Sequence, residues 1–390
     1  MNATKNICFL TSRHRYDDAR IYHKEAKTLG DAGYRVTIIA PKQNGIAQST
    51  YIPVVFFKKT RFFRKSSSLF NLIRLGLKTD ANCYHCHEGD SSLLAAVLIK
   101  FILLLFKNRV TVVYDSHEHW PSSFYDKAPK GLKRLVRLLF SAYEILLAWN
   151  VDAIITANDI VKARFDALFP HKPVIRLYNV PSLSLFTPPP SPEKKYTFCH
   201  EGNMTFDRGL RVLLNTFSRL YEKRTDWNFL FIGSVKTPNE KKVVENWYES
   251  HPGLRTAVSF TGWLPYEDVP GYVQQCRVGG IFFRKSQNNM YGGPPNKLFN
   301  YMRYGLPVIA PAFPEIRQII TTYNCGYLFD DLSEKSLVQL FESILSNLDE
   351  ASEVGKRGRR AVLTSLNWEV ESQKLVELYQ RMLPLNTTGN

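Results

Sequence analysis

The stretch Met290–Ala310, MYGGPPNKLFNYMRYGLPVIA, is the one from which the rest of the chain can be read. Two glycines and two prolines make an irregular loop, and Asn296 is placed to cap a helix that starts there. Leu298, Phe299 and Met302 recur at helical spacing, so one face of 297–304 is apolar. Gly305 stands where a left-handed C-terminal residue is wanted, and Leu306-Pro307 feeds a short buried strand, 308–310. Free N–H groups at a helix start attract phosphate, and Lys297 adds a full charge there. The same succession of loop, helix and strand also serves an ordinary unit of an α/β core.

Working outward, this unit recurs on both sides. Residues 7–10 predict a first strand, followed by a polar loop at 11–18, a helix over 19–33 and a second strand at 36–40. Residues 51–65 mix aromatics with Lys58, Lys59, Arg61, Arg64 and Lys65, and predict one strand followed by a basic loop. Two further strands end at His87-Glu88-Gly89-Asp90 and at Asp115-Ser116-His117-Glu118. Polar side chains at the carboxyl ends of parallel strands are where such folds bind ligands. Pro181–Lys195, PSLSLFTPPPSPEKK, is the best linker, and after it the alternation restarts. The order predicts an α/β protein with two Rossmann-like domains, each built on a parallel sheet, facing a cleft. The boundaries are 1–180, a linker at 181–195, a second domain over 196–366, and a terminal helix in 367–390.

The chain has 390 residues, enough for two cores, and 44% hydrophobic with 22% charged residues is the balance of a folded domain protein. Against 35 acidic residues stand 51 lysines and arginines, a formal +16 that favours an anionic partner without choosing one. The six cysteines are scattered in apolar runs and read as free thiols of a reducing compartment. No signal peptide is expected from the first apolar run, 7–10, which is short, and the greasiest run, 93–106, is too short to span a bilayer.

A long helix over 127–149 carries Lys127, Lys130, Lys133, Arg134 and Arg137 beside Leu132, Val136, Leu139 and Phe140. With the basic aromatic stretch at 56–65 and the greasy helix at 93–106, it predicts contact with an anionic membrane surface. The expected location is cytoplasmic and peripheral, on the inner face of the cell membrane.

Cys83-x-x-Cys86 with His85 and His87 has metal-ligand spacing, but alternate strand residues face opposite ways and no second pair follows, so no metal is expected. Trp263 is expected to pack under its loop, and His14 and His119 to be solvated loop residues.

Five segments, RHRYDDARIYHKEA (13–26), YDSHEHWP (114–121), EGNMTFDRGL (201–210), FTGWLPYEDVP (260–270) and PNKLFNYMRYGLPVIA (295–310), resemble the family 4 glycosyltransferases of GT-B fold, especially those of bacterial surface-polysaccharide assembly. The resemblance implies retaining, metal-independent transfer from a nucleotide sugar to a lipid-linked or saccharide acceptor, with no cofactor. By position, Arg208 and Lys297 grip the donor diphosphate, and His117 approaches the donor sugar. Arg284, Tyr291, Gly292, Gly293, Asn296, Asn300, Glu315, Gly202 and Asn203 belong to the donor side. Asp17, Asp18, Arg20, His87 and Glu118 line the acceptor side.

Many relatives carry two glutamates eight positions apart where this chain has Gly292 and Asn300, and a basic residue where it has Asn203. An amide has one acceptor oxygen where a carboxylate has two, so nucleotide binding is expected to be weaker, differently arranged or supported by Glu315 or another acid, or catalysis to be lost. A non-catalytic paralogue that binds a sugar nucleotide is therefore one alternative. A sugar-nucleotide epimerase is a second, although it needs acid and base pairs that these motifs lack. Nucleic-acid binding rests on charge alone, with no reader motif, and is not expected.

Overall fold

Short runs of Val, Ile, Phe and Cys between polar turns become strands covered on both faces, which favours parallel sheets over alternating ones. In a computed structural model of the chain, residues 5–42, 51–58, 64–184, 193–265 and 267–385 are described. Two compact units result, one of Met1–Asn179, Tyr291–Gly293 and Trp368–Asn390, the other of Val180–Met290 and Pro294–Asn367.

The first unit holds β1 (Asn6–Leu10), β2 (Arg35–Pro41), β3 (Val54–Phe57), β4 (Cys83–His87), β5 (Thr111–Ser116), β6 (Ala153–Thr156) and β7 (Val174–Arg176). They form a parallel sheet ordered β3-β2-β1-β4-β5-β6-β7. The second holds β8 (Tyr196–Glu201), β9 (Phe229–Ile232), β10 (Val258–Phe260), β11 (Cys276–Gly280), β12 (Val308–Pro311) and β13 (Gly326–Phe329), ordered β10-β9-β8-β11-β12-β13 and also parallel. Strand order reverses between β1 and β4 in one sheet and between β8 and β11 in the other. Loops leaving those strands diverge to opposite sides of the sheet, which opens a crevice at each switch point.

The helix Trp368–Met382 belongs to the first unit. Trp368 Nε1 donates to Thr28 Oγ1 at 2.9 Å, and the Glu371 carboxylate accepts from the Tyr178 N–H at 3.0 Å. Buried Leu375, Leu378 and Tyr379 add an apolar face to the core under β1 and β2. Residues 185–192 of the Pro-rich linker and 59–63 of the basic stretch lie outside the described residues.

Several expectations are corrected. The helix over 19–33 begins as a π-helical segment, Ile21–Ala26, and turns α-helical over Lys27–Asp31. Its wider turn brings Ile21, Lys24, Glu25 and Ala26 all inward, and Gly33 ends it at φ +94°. The single helix over 127–149 is two, Trp120–Lys127 and Lys133–Trp149, because Pro129 forces Ala128 into extended backbone. The structure adds helices Arg64–Gly76, Asp159–Leu168 and Leu348–Thr364, which the sequence pattern does not predict. Pro295, not Asn296, caps the helix Asn296–Arg303, which Gly305 closes at φ +72°. Trp263 is not packed under its loop but stands 78% exposed.

Candidate functional site

Each switch point carries a polar centre. In the second unit, β8 delivers His200 and Glu201 to its carboxyl end, and Gly202 follows at φ +97°. A Cβ at Gly202 would lie 3.4 Å from Lys297 Nζ and 3.6 Å from Arg208 Nη1, so the missing side chain leaves a niche flanked by two cations. Lys297 enters from the first turn of the helix Asn296–Arg303, and Arg208 from the turn Phe206–Arg208. Both lie over the Phe283 ring, at 5.4 and 5.8 Å from its centroid. Lys297 Nζ donates to the Glu201 carbonyl and lies 3.3 Å from His200 Nε2. His200 Nδ1 faces the Gly280 carbonyl at 3.0 Å, which makes Nδ1 the protonated nitrogen and Nε2 the acceptor for Lys297.

Among the described residues neither cation has a salt-bridge partner; Arg208 Nη1 donates to the Asn203 carbonyl at 2.8 Å. Burial, and then Arg208, pull the Lys297 ammonium down to about 7. Burial also lowers Arg208, and it holds His200 neutral, helped by both cations. Glu201 acts on Lys297 in the opposite sense but does not outweigh burial and Arg208, so an anion in the niche would relieve both cations.

Asn300, one turn after Lys297, donates Nδ2 to Glu201 Oε1 at 3.0 Å and to Oε2 at 3.2 Å. A carboxylate only accepts, so the amide orientation is fixed with Oδ1 directed away from Glu201. The chain thus keeps an acid beside position 300, but on β8 rather than on the helix. Sequence reading missed Glu201; as the last strand residue before Gly202 it was visible, but its neighbour across the fold was not. Glu315 is buried in the first turn of Pro314–Tyr323, where the helix dipole favours an acid. Asn203 and Arg284 are exposed, as is Asn296. The Tyr291 carbonyl accepts from Asn158 Nδ2 at 3.2 Å, and Tyr291, Gly292 and Gly293 group with the first unit.

In the first unit, β4 and β5 deliver His87 and Asp115. Arg20 Nε and Nη2 clasp Asp115 at 3.0 and 2.9 Å, and Arg20 Nη1 donates to the Leu177 carbonyl at 2.8 Å. Arg20 and His87 were expected to line the acceptor side, but both are buried and committed inward. His117 Nε2 lies 2.8 Å from Asp115 Oδ2, and Glu88 Oε1 lies 3.7 Å from its Nδ1. His14, expected to be solvated, contacts Glu88 at 3.0 Å and Asp18 at 3.4 Å. Burial lowers its basicity, but the two carboxylates outweigh that and lift it to about 10. Asp18 accepts from the Arg20 and Ile21 N–H groups, Asp17 pairs with Arg15, and exposed Glu118 accepts from Ser123 Oγ at 2.9 Å.

Residues 19–180 match the family model Glycosyltransferase Family 4, and residues 184–361 match Glycosyl transferases group 1. A putative colanic acid biosynthesis glycosyltransferase, WcaL of Escherichia coli K12, is 22% identical over 203 residues, 51% of this chain and 49% of that protein. The chain thus spans about half the length of this curated relative. Among solved structures, sucrose-phosphate synthase from Thermosynechococcus elongatus superposes at TM-score 0.71 with 16% identity, covering 97% of this chain and 99% of that one. Alr3699/HepE of Anabaena in complex with UDP gives 0.72 with 12% identity, covering 97% and 100%. At these identities the structural likeness establishes the fold, which is GT-B.

Proposed function

We propose, for a chain that belongs to the family 4-like glycosyltransferases of GT-B fold, that it moves a sugar from a nucleoside-diphosphate sugar to a lipid-linked or saccharide acceptor in surface-polysaccharide synthesis. The observation that carries this reading is the niche at Gly202, flanked by Lys297 and Arg208, neither of which has a salt bridge among the described residues. The departing nucleoside diphosphate gains negative charge as the glycosidic bond breaks. Cations fixed where that charge grows stabilise the transition state more than the ground state, and no metal is required for this. Retention at the anomeric carbon is taken from the family resemblance. The relative named for colanic acid biosynthesis supports the polysaccharide assignment, and the relative solved with UDP supports a nucleotide donor.

Asn300 Oδ1, held outward by Glu201, takes one ribose hydroxyl in place of the glutamate of many relatives. By the family resemblance His117, oriented by Asp115 at its Nε2, meets the donor sugar. Exposed Trp263, on the loop after β10, is a stacking platform for the base.

The acceptor side works at an anionic membrane surface. Leu138, Leu139, Leu146 and Trp149 on the helix Lys133–Trp149, and Leu105 and Phe106 after Ser91–Leu105, are 59–83% exposed, and basic residues accompany them. Apolar side chains of that size in water, next to lysines and arginines, suit the headgroup boundary of a lipid leaflet. Among the described residues no helix is long and apolar enough to cross a membrane.

A thermal-shift screen with UDP, GDP, ADP, CMP and dTDP and their common sugars, with EDTA present, tests the reading. A ligand at a hundredfold excess over its Kd adds about 2.7 kcal/mol to native stability, a shift of several degrees. One nucleotide should stabilise the wild type and lose most of that effect in Lys297→Ala and Arg208→Ala. No shift with any of them would favour the non-catalytic paralogue.

A further inference from the structure

Beneath the carboxyl ends of β1, β4 and β5 lies a set of polar side chains that the transfer reaction does not use. Strand alternation puts Cys83, His85 and His87 on one face of β4, and Tyr84 and Cys86 on the other. The π-helical turn brings Glu25 to the same face, and β5 supplies Asp115. All four polar residues, Glu25, His85, His87 and Asp115, are fully buried, and one donor atom from each lies within 4.8 Å of the others.

Much of this set is left without a hydrogen-bond partner. Both Glu25 oxygens, His85 Nε2 and His87 Nε2 are buried and unpaired. Arg20 Nε is ion-paired with Glu25 Oε1 at 2.8 Å, but its single hydrogen points to Asp115 Oδ2, so Glu25 has the charge without the hydrogen bond. Asp18 and Glu88 are paired with His14, which leaves Glu25 and Asp115 to share the Arg20 guanidinium between them. A buried carboxylate balanced on one side only, and a buried imidazole nitrogen, His85 Nε2, without a hydrogen-bond partner, leave bonding capacity unused at considerable cost.

We propose that Glu25, His85, His87 and Asp115 hold one structural divalent transition-metal ion, with zinc as the best fit. Zinc bound by nitrogen and oxygen at 2.0–2.2 Å in a tetrahedron places its donors about 3.3–3.6 Å apart. His87 Nδ1 lies 3.3 Å from Asp115 Oδ2 and 3.9 Å from Glu25 Oε2, and His85 Nε2 lies 3.7 Å from Glu25 Oε2. These three separations equal that spacing or exceed it by a few tenths of an ångström. An outer shell is also in place: His85 Nδ1 contacts the Tyr379 hydroxyl at 2.9 Å, and Arg20 clasps Asp115. A ligating histidine whose other nitrogen is fixed by a hydrogen bond has its ring orientation set. Because Tyr379 lies on the terminal helix, the ion would tie that helix to β4 and β5. It takes no part in the transfer step.

The test uses the full-length chain, purified without a metal-affinity tag. Elemental analysis should find about one zinc per chain. Unfolding in EDTA and refolding without metal should lower Tm, and refolding with zinc alone should restore it. Refolding with cobalt should give the visible absorption of a tetrahedral Co2+ site. His85→Gln and Glu25→Gln should lose the metal. If those variants do not fold, zinc-edge X-ray absorption of the wild type reads the ligands directly, with imidazole and oxygen scattering expected. Metal-free chain with the same Tm with and without zinc, or sulfur scattering from the cysteines, would overturn the proposal. The first of those results would mean that protons balance the buried carboxylates instead.

Discussion

Lys297 offers a test that reads the donor niche without any knowledge of the acceptor. In the free protein, burial and then Arg208 hold its ammonium at about 7, against 10.5 for an ordinary lysine. At pH 8 it is therefore only about one-tenth protonated. A diphosphate in the niche supplies the missing counter-charge and returns the group towards its ordinary value, so binding at pH 8 should take up about 0.9 proton. The diphosphate is already fully ionised at that pH and contributes little. Linkage then makes Kd nearly flat below pH 7 and raises it by up to about tenfold per pH unit above that. Isothermal titration calorimetry of the nucleotide found by thermal shift, in buffers of equal pH but different ionisation enthalpy, gives the proton count from the slope. Lys297→Arg, whose charge is permanent, should bind with no uptake. No uptake by the wild type at pH 8, with unchanged affinity from pH 6.5 to 9, would sink the argument. In that case Lys297 either is charged already or does not meet the phosphate.

Three further outcomes follow from the same contacts. Asn300→Glu, which restores the residue of many relatives, should lower stability by about 1–3 kcal/mol, because it sets a second carboxylate about 3 Å from Glu201. The exchange Glu201→Asn with Asn300→Glu should recover most of the loss; tighter nucleotide binding by Asn300→Glu alone, at unchanged Tm, would contradict this. Leu138→Glu with Leu139→Glu should cut binding to phosphatidylglycerol vesicles more than about tenfold while moving stability by no more than about 0.5 kcal/mol, as flotation and thermal melting would check. His14, lifted to about 10 from 6.5, contributes stability that is complete below pH 6.5 and lost as pH rises towards 10. His14→Gln should flatten that part of the stability profile in chemical denaturation, and an unchanged slope would remove the Asp18 and Glu88 contacts from the account.

The fold was legible where hydrophobic runs were short and closed by turn residues. Ile7–Leu10, Phe229–Ile232 and Val308–Ala310 gave strands within a residue or two, because a run of four buried β-formers between polar turns leaves few alternatives. Gly305 and Gly33 stop their helices because the backbone there needs positive φ, which glycine supplies at least cost. Reading failed where one element had two parts. The amphipathic period runs on across Ala128-Pro129, and only the proline's restriction of its neighbour breaks it. It failed again at Ile21–Ala26, since one extra residue in a turn changes which side chains face inward without changing composition.

Residue type shows which groups can carry charge, but burial and tertiary pairing decide which charges stay available. Arg20 and Arg208 both follow acidic residues in a loop-to-helix passage, and sequence places both in a site. Arg20 meets Asp115, 95 residues away, and its donors are spent inside the fold. Arg208 meets a backbone carbonyl, a phenylalanine ring and a second cation, and keeps its charge for something else. The same contrast separates Glu25 from Glu201. Each acid ends up beside a cation, but Glu201 also has an amide to hold and a glycine niche beside it, whereas Glu25 faces two histidines in a sealed pocket. A charge with no partner at the end of a strand invites a ligand from solvent. A charge only partly balanced under the sheet can gain a ligand only as the chain folds.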